Sequence, residues 1–294
     1  MIRPPWSDFR AALESAGFRP SKTLGQNFLL DDNMARSLVA DAGVGADDRV
    51  VEIGAGCGFL TVHLAEACAA VVAVEVDRRL FQVASELLAP WENVRLVRAD
   101  ALAGKHVLGP ELCGELDRLG AAGPWHVVAN LPYSISGPLF VLLSRREPPP
   151  ASISALVQRE VAEKAAGRPG TRDWGALAAR LAVRYRPRLG RRVPAALFWP
   201  RPRVESRVVH LERLPGDGPD AAALERYDRL VDLLFQSRRK TLRATLAARL
   251  GRAEPPEEAL ARVGLDPGAR PEEVAAADLL RLAEELGERL AGKS

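Results

Sequence analysis

The sequence predicts a parallel α/β domain followed by a small helical domain, and three observations carry that prediction. Between residues 49 and 158, five short apolar runs alternate with amphipathic stretches of helical length, the pattern of βαβ units. After the break "PGDGPDAAA" at 215–223, the apolar residues recur only at helical spacing. The chain has 294 residues, 47% of them hydrophobic and 27% charged, enough for one full α/β domain and a smaller partner. The expected division is 1–214 and 215–294.

Taken in order, "WSDFRAALESAG" reads as a helix stopped by Gly17, then a loop runs through "SKTLGQNF" to a helix starting near Asp31 or Asp32. The five strands are "RVVEIG" (49–54), "AAVVAVEV" (69–76), "NVRLVRAD" (93–100), "WHVVAN" (125–130) and "SISALVQ" (152–158). Asp77 is a natural N-cap for the helix "DRRLFQVASELL". Beyond Arg159 come the helix "REVAEKAAG", the loop "RPGTRDWG" and a helix from about Ala176. Two extended segments, "VRYRPRLG" and "RVVHLERL", then enclose the proline-punctuated "FWPRPRVES". The second domain opens with "LERYDRLVDLLFQSRRKTLRATLAARLG" and adds two shorter helices.

Composition narrows the function classes. No apolar run approaches the roughly 18 residues of a membrane span, and "MIRPPWSDFR" lacks the apolar core of a signal peptide. The three cysteines, Cys57, Cys68 and Cys113, have no metal-ligand spacing and read as reduced thiols of a cytoplasmic protein. The net charge of +3 is unevenly spread: residues 1–158 carry 14 Lys/Arg against 18 Asp/Glu (−4), 159–213 carry 14 against 5 (+9), and 214–294 carry 13 against 15 (−2). Arginine outnumbers lysine 36 to 5, which a coding bias explains, but such a bias does not remove acids from the middle block. That block reads as a surface for phosphates.

The first chemical motif is "EIGAGCGFL" (52–60), a sharp turn on three glycines between a strand and a helix, where nucleotide-like ligands sit. A dinucleotide fingerprint would need Gly or Ala at Phe59 or Thr61, so a nicotinamide enzyme is disfavoured. Gly54-x-Gly56-x-Gly58 is instead the tighter loop of S-adenosylmethionine-dependent methyltransferases. Glu75 ends the second strand, 21 residues past Gly54, and a carboxylate there accepts from both hydroxyls of a ribose. Asp100 ends the third strand, placed either to accept from an adenine amine or to cap the turn into "ALAG".

The second motif is Asn130-Leu131-Pro132-Tyr133, at the mouth of the fourth strand. The exocyclic amine of adenine or cytosine is a poor nucleophile because its lone pair is delocalised into the ring. Two acceptors, the Asn130 side-chain oxygen and the Leu131 carbonyl, can bind its hydrogens and draw the nitrogen toward a tetrahedral shape. Pro132 fixes φ and holds that carbonyl, and Tyr133 can stack on a base taken out of its helix.

With these motifs in place, the chain resembles the ribosomal RNA adenine dimethyltransferase family, and within it the small-subunit (KsgA-like) branch. The resemblance spans most of residues 15–250. It rests on "KTLGQNFLLDDN", "EIGAGCGFLT", Glu75, "RADAL", "ANLPYSIS", "LVQREVAEKAAGRPGTRDWGALA", "FWPRPRVESRVVHLE" and "LFQSRRKTLRATL". It implies a Rossmann-like catalytic domain with a helical RNA- or ribosome-binding domain, and dimethylation of two adjacent adenines in the 3′-terminal hairpin of small-subunit rRNA. It further implies S-adenosylmethionine held by Gln26, Asn27, Leu29, Gly54, Gly56, Glu75, Asp100 and Asn130, with Phe198 near the target base opposite Tyr133. The expected partners are small-subunit rRNA and the pre-small-subunit particle, met by a monomer without membrane or metal. Arg184, Arg186, Arg188, Arg191 and Arg192, with Arg238, Arg239 and Lys240, are the expected RNA-facing cations.

Two other readings remain. A large-subunit, antibiotic-resistance methyltransferase usually reads Asn-Ile-Pro-Tyr, whereas Leu131 stands here. A non-catalytic RNA-binding or assembly factor could dispense with the acceptor motif and the ribose carboxylate, and this chain keeps both. Ser134 stands where the family usually has Asn.

Overall fold

The computed structural model describes residues 4–20, 26–29, 31–237, 239–250 and 255–290, without the side chains of 249, 250 and 288. The chain divides into two compact units, Met1–Ala162 with Arg188–Arg213, and Glu163–Pro187 with Leu214–Ser294.

The first unit is built on a seven-stranded sheet. Its strands are β1 (Arg49–Ile53), β2 (Ala70–Glu75), β3 (Val94–Arg98), β4 (Trp125–Asn130), β5 (Ser152–Gln158), β6 (Tyr185–Val193) and β7 (Ser206–Arg213), in the order β3-β2-β1-β4-β5-β7-β6. β1 to β5 are mutually parallel, and β7 returns antiparallel to β5 in the register Ser206↔Gln158 to Glu212↔Ser152. Successive Val, Ile and Ala residues in β1, β2, β4 and β5 are buried, so both faces of these strands are covered, as in a parallel sheet. Pro187 is tolerated in β6 because that strand lies at the sheet edge.

The helices of this unit are α1 (Trp6–Ser15), α2 (Asp32–Asp41), α3 (Phe59–Ala67), α4 (Arg78–Leu88), α5 (Pro110–Ala122) and α6 (Ser136–Ser144). Asp31 caps α2 by accepting from Met34 N–H, and Asp77 caps α4 by accepting from Arg79 and Leu80 N–H. Phe9, Leu38, Val62 and Leu64 are among the side chains of its core.

Two small pairings had no periodic signal in the sequence. Phe28–Leu29 pairs antiparallel with Phe198–Trp199. "ALAG", read as a turn, instead enters a short hairpin of Leu102–Gly104 with Val107–Leu108.

The division also differs from the single cut expected after residue 214, because 163–187 pack with the second unit. After α7 (Arg159–Ala165), Trp174, Ala178, Ala179 and Val183, around helix α8 (Ala176–Ala182), share a core with Tyr227, Leu230 and Leu234 of helix α9 (Ala221–Phe235). Tyr227 Oη donates to the Ala179 carbonyl at 2.7 Å, and Arg180 pairs with Asp228 at 3.2 Å. Helices α10 (Leu242–Leu250), α11 (Pro256–Arg262) and α12 (Ala276–Leu286) complete that unit. Among the described residues, no helix is long and apolar enough to cross a membrane.

Candidate active site at the strand crossover

Strand order reverses between β1 and β4, and the carboxyl ends of two strands flanking such a crossover leave a crevice. A cavity of about 240 Å³ lies there. Its walls come from the ends of β1, β2 and β4, the glycine turn, the loop after β3, and residues 26–29.

The glycine turn is held by β2. Gly54 and Ala55 N–H both donate to the Val74 carbonyl, at 2.8 and 3.0 Å. Gly54 and Gly56 have φ of 79° and 60°, which side chains other than glycine adopt only under strain. A Cβ on Gly54 would come within 3.2 Å of the Pro132 ring, and one on Gly56 within 3.0 Å of Phe28. The turn is therefore in bare main-chain contact with the Asn-Leu-Pro-Tyr segment and with the amino-terminal segment.

Three carboxylates line the cavity. Glu75 is buried, and its two oxygens accept from Gly56 N–H at 2.7 Å and Asp77 N–H at 2.8 Å. Burial pushes its carboxyl up to about 7, against those two hydrogen bonds. Asp100 is exposed, and its Oδ1 accepts from Leu102 N–H at 2.9 Å, so it caps the turn while standing on the cavity wall. Glu52, which the sequence reading passed over, is 1% exposed and takes a 2.6 Å hydrogen bond from the Thr61 hydroxyl. Burial pushes it up to about 8, the Thr61 bond opposing and the Glu75 charge adding. Its signal was a lone acid inside the apolar strand "RVVEI".

Glu52 gives a stability prediction with a definite sign. Its folded pKa lies above its ordinary 4.5, so between about 4.5 and 8 the folded protein holds a proton that the unfolded chain has released. Stability therefore falls as pH rises through that window, by roughly 1.4 kcal/mol per pH unit at most from this group, and levels off above it. Glu52→Gln, neutral at every pH, is expected to flatten the decline of the melting temperature from pH 5 to 8.5. A variant as pH-sensitive as the parent would contradict this.

At the end of β4, the Asn130 amide nitrogen donates to the Asn27 carbonyl at 2.9 Å. That carbonyl can only accept, so the amide orientation is chemically fixed and Oδ1 lies at the other end of the group. Leu131 N–H donates to the Leu156 carbonyl of β5 at 3.0 Å, which orients the peptide on the strand end. Gln26 Nε2 reaches Asp77 Oδ2 at 3.2 Å, tying the amino-terminal segment to the start of α4. Of "KTLGQNFLLDDN" (22–33), residues 22–25 and 30 lie outside the described residues.

Tyr133 is half-buried, and its hydroxyl meets Ser206 Oγ of β7 at 2.6 Å. Ser206 is fully buried, so it fixes the far edge of the ring from inside the sheet. Ser206→Ala is expected to lower kcat severalfold with cofactor affinity unchanged, and Ser206→Thr to restore part of the loss. A KM effect alone would mean that Ser206 serves only packing.

All the expected site residues except Phe198 line this cavity: Gln26, Asn27, Leu29, Gly54, Gly56, Glu75, Asp100, Asn130, Leu131, Pro132 and Tyr133. Phe198 is 3% exposed in the core and stands opposite Leu29 in the short pairing. The expected cations also separate. Arg184 is 5% exposed, and its Nη2 donates to the Pro219 carbonyl at 2.7 Å, so it is a packing residue. Arg191 is ion-paired to Asp41 at 2.6 Å, and Arg188 lies 3.9 Å from Glu212. Arg186, Arg192, Arg239 and Lys240 are exposed, and Arg238 lies outside the described residues.

Comparison with known proteins adds the relatives. The family model described as ribosomal RNA adenine dimethylase matches residues 17–288. Ribosomal RNA small subunit methyltransferase A of Thermobifida fusca (strain YX) is 39% identical over 283 residues, covering 95% of this chain and 94% of that protein. Among solved structures, the 23S rRNA methyltransferase ErmE is similar with a TM-score of 0.65 and 28% identity, over 88% of this chain and 99% of that one. A dimethyladenosine transferase from Plasmodium falciparum has a TM-score of 0.70 at 20% identity, over 88% and 97%, a likeness of fold.

Proposed function

This chain belongs to the ribosomal RNA adenine dimethylase family, and from that membership we propose that it dimethylates the N6 amines of two adjacent adenines in the 3′-terminal hairpin of small-subunit rRNA. The observation that carries the chemistry is the Asn130 amide, locked by the Asn27 carbonyl so that its oxygen lies at the opposite end, one residue before the Leu131 carbonyl. A small-subunit target is favoured over a large-subunit one because the Thermobifida fusca relative, named for the small subunit, is 39% identical, against 28% for the 23S enzyme.

The cavity suits S-adenosylmethionine. Glycines at 54 and 56 let a ligand reach the main chain, where a Cβ would be crowded. Glu75 offers acceptor lone pairs beyond the two backbone bonds it already takes, as a ribose diol requires. Asp100 lines the same cavity as the apolar Val76, Leu80 and Ala101, an acceptor with apolar neighbours in the lining that suits an adenine. Gln26, Asn27 and Leu29 border the same space. When bound, the cofactor supplies an electrophilic methyl group.

The chain's own residues do the rest. Asn130 Oδ1 and the Leu131 carbonyl accept the two amine hydrogens, which localises the nitrogen lone pair away from the ring. Pro132 keeps that carbonyl in place, and Tyr133, tethered to Ser206, stacks on the extruded base. With the cofactor bound, the N–C bond would form as the methyl–sulfur bond breaks, and the cationic nitrogen would lose one proton to water, so no strong base is needed. Phe198, buried opposite Leu29 in the short pairing, packs beside this wall.

Selection among adenines comes from RNA shape read by cations outside the cavity. We assign that role to Arg186, Arg192, Arg239 and Lys240, with the helical unit serving as an RNA- or ribosome-binding module. The protein would act as a cytoplasmic monomer on pre-small-subunit particles. Arg186→Ala with Arg192→Ala is expected to lower the slope of log K against log salt by roughly one per lost phosphate contact. Arg184→Ala should instead lower the melting temperature and leave that slope alone. An unchanged slope in the double variant would remove these two arginines from the interface.

The assignment is tested by mapping dimethyladenosine on rRNA from cells lacking this protein. Loss of the small-subunit hairpin marks is expected. Full modification there defeats the proposal, and loss of a large-subunit mark would favour the other branch.

A further inference from the structure

We propose that Trp199 is a stacking platform for an unpaired RNA base beside the mouth of the cavity, a nucleotide-binding subsite separate from the pocket for the target adenine. The inference rests on the functional reading above and identifies a second place at which the same RNA is held.

The placement follows from the short pairing of 28–29 with 198–199. Residues directly opposed in an antiparallel pair put their side chains on one face. Leu29 and Phe198, opposed to each other, are 4% and 3% exposed and belong to the core. Phe28 and Trp199, also opposed, have ring centroids 5.9 Å apart at 31°. The Phe28 ring lines the cavity and reaches the glycine turn, where it would meet a Cβ on Gly56, so the Phe28–Trp199 pair stands beside the site. Trp199 is nevertheless 37% exposed. Its indole is backed by one ring and leaves surface uncovered beside the site.

That exposure is unusual within this molecule. Among the described residues, the exposed large apolar side chains are Val76, Val107, Trp199 and Val204, and Trp199 is the only aromatic one. Two of the four fall in the segment 199–204. The same segment holds Arg201 and Arg203, both exposed, and no acid before Glu205. Pro200 and Pro202 restrict its backbone. An exposed aromatic ring followed closely by two exposed cations is the combination that holds single-stranded nucleic acid, since every base has a π-face and every nucleotide a phosphate. A protein partner would be expected to bring acids to Arg201 and Arg203 and an apolar surface to Trp199; RNA satisfies both groups with one nucleotide. The need is also specific to this reaction. Extruding one adenine leaves its neighbour without a stacking partner, and two adjacent adenines must be presented in turn.

The test uses the full chain and a labelled RNA hairpin whose loop carries two adjacent adenines. Binding is measured by fluorescence anisotropy over a salt series, with S-adenosylmethionine affinity followed by calorimetry and folding by thermal melting. Trp199→Ala is expected to weaken hairpin binding roughly 5- to 100-fold, with the salt slope and the cofactor affinity unchanged. Trp199→Phe should keep most of the binding, since a ring remains. Arg201→Ala with Arg203→Ala should lower the salt slope by up to about two. Parental hairpin affinity in Trp199→Ala would overturn the inference. So would a loss of cofactor affinity in that variant, which would mean that the ring only supports Phe28 and the glycine turn. If the parent protein itself fails to bind the hairpin, this inference is overturned, while the functional reading stands or falls on the mapping of dimethyladenosine in cells.

Discussion

Asn130→Ala is expected to cut the methyl-transfer rate by about 100- to 1,000-fold while RNA affinity stays near the parental value. That is the usual cost of removing one preorganised hydrogen-bonding group that acts on the reacting centre. The amide acts mainly as the amine nitrogen changes shape, so its loss falls on kcat rather than on binding. A second substitution separates this role from packing. Asn130→Asp has nearly the same shape, but an ionised carboxylate cannot donate to the Asn27 carbonyl, which lies 2.9 Å from the amide nitrogen. It places oxygen against oxygen and should disturb the amino-terminal segment as well as the chemistry. Single-turnover rates at saturating RNA and cofactor check both variants. A parental rate in Asn130→Ala would remove the acceptor role.

The elements that frame this site were legible because their signals are local. "AAVVAVEV" is apolar on both faces, as a buried parallel strand is, and three glycines within five residues mark a turn against a ligand or a neighbouring chain. The contacts that complete the site were not legible, because they join residues far apart in sequence. Asn27 and Asn130 are 103 residues apart, and Tyr133 and Ser206 are 73 apart. No periodicity encodes such pairs; the sheet creates them by bringing β7 beside β5 and the amino-terminal segment over the carboxyl end of β4. The attachment of 163–187 to the second unit was hidden in the same way. Its helix is seven residues long, and its small apolar face, Ala178 and Ala179, acquires meaning only against Tyr227. Phe198 and Trp199 show the limit most plainly. Two adjacent aromatics in "FWPRPRVES" look alike in sequence, and strand alternation buries one and exposes the other.

Glu75→Ala is expected to weaken S-adenosylmethionine binding by about 100-fold or more, and the parent's affinity should rise with pH through the neutral range. Two effects add in the variant. A carboxylate that accepts from both ribose hydroxyls is removed, and each charge-assisted bond is worth roughly 1.5–3 kcal/mol. The Gly56 and Asp77 N–H groups also lose their acceptor, which loosens the glycine turn and the start of α4 together. The pH dependence follows from burial, which raises this carboxyl to about 7. Below that pH it is largely protonated and offers one fewer acceptor position to a diol; above it, it is ionised. Ribose binding favours the ionised form, so affinity increases as pH rises from about 6 to 8, and binding near neutrality releases a proton, read as a buffer-dependent enthalpy in calorimetry. Glu75→Gln should abolish that buffer dependence without restoring affinity. Both oxygens of Glu75 accept from main-chain N–H groups, and an amide has only one acceptor, so one of those N–H groups would face an NH2. Unchanged cofactor affinity in Glu75→Ala would refute the ribose assignment; weakened affinity with no proton release in the parent would keep the contact but place the ionisation elsewhere.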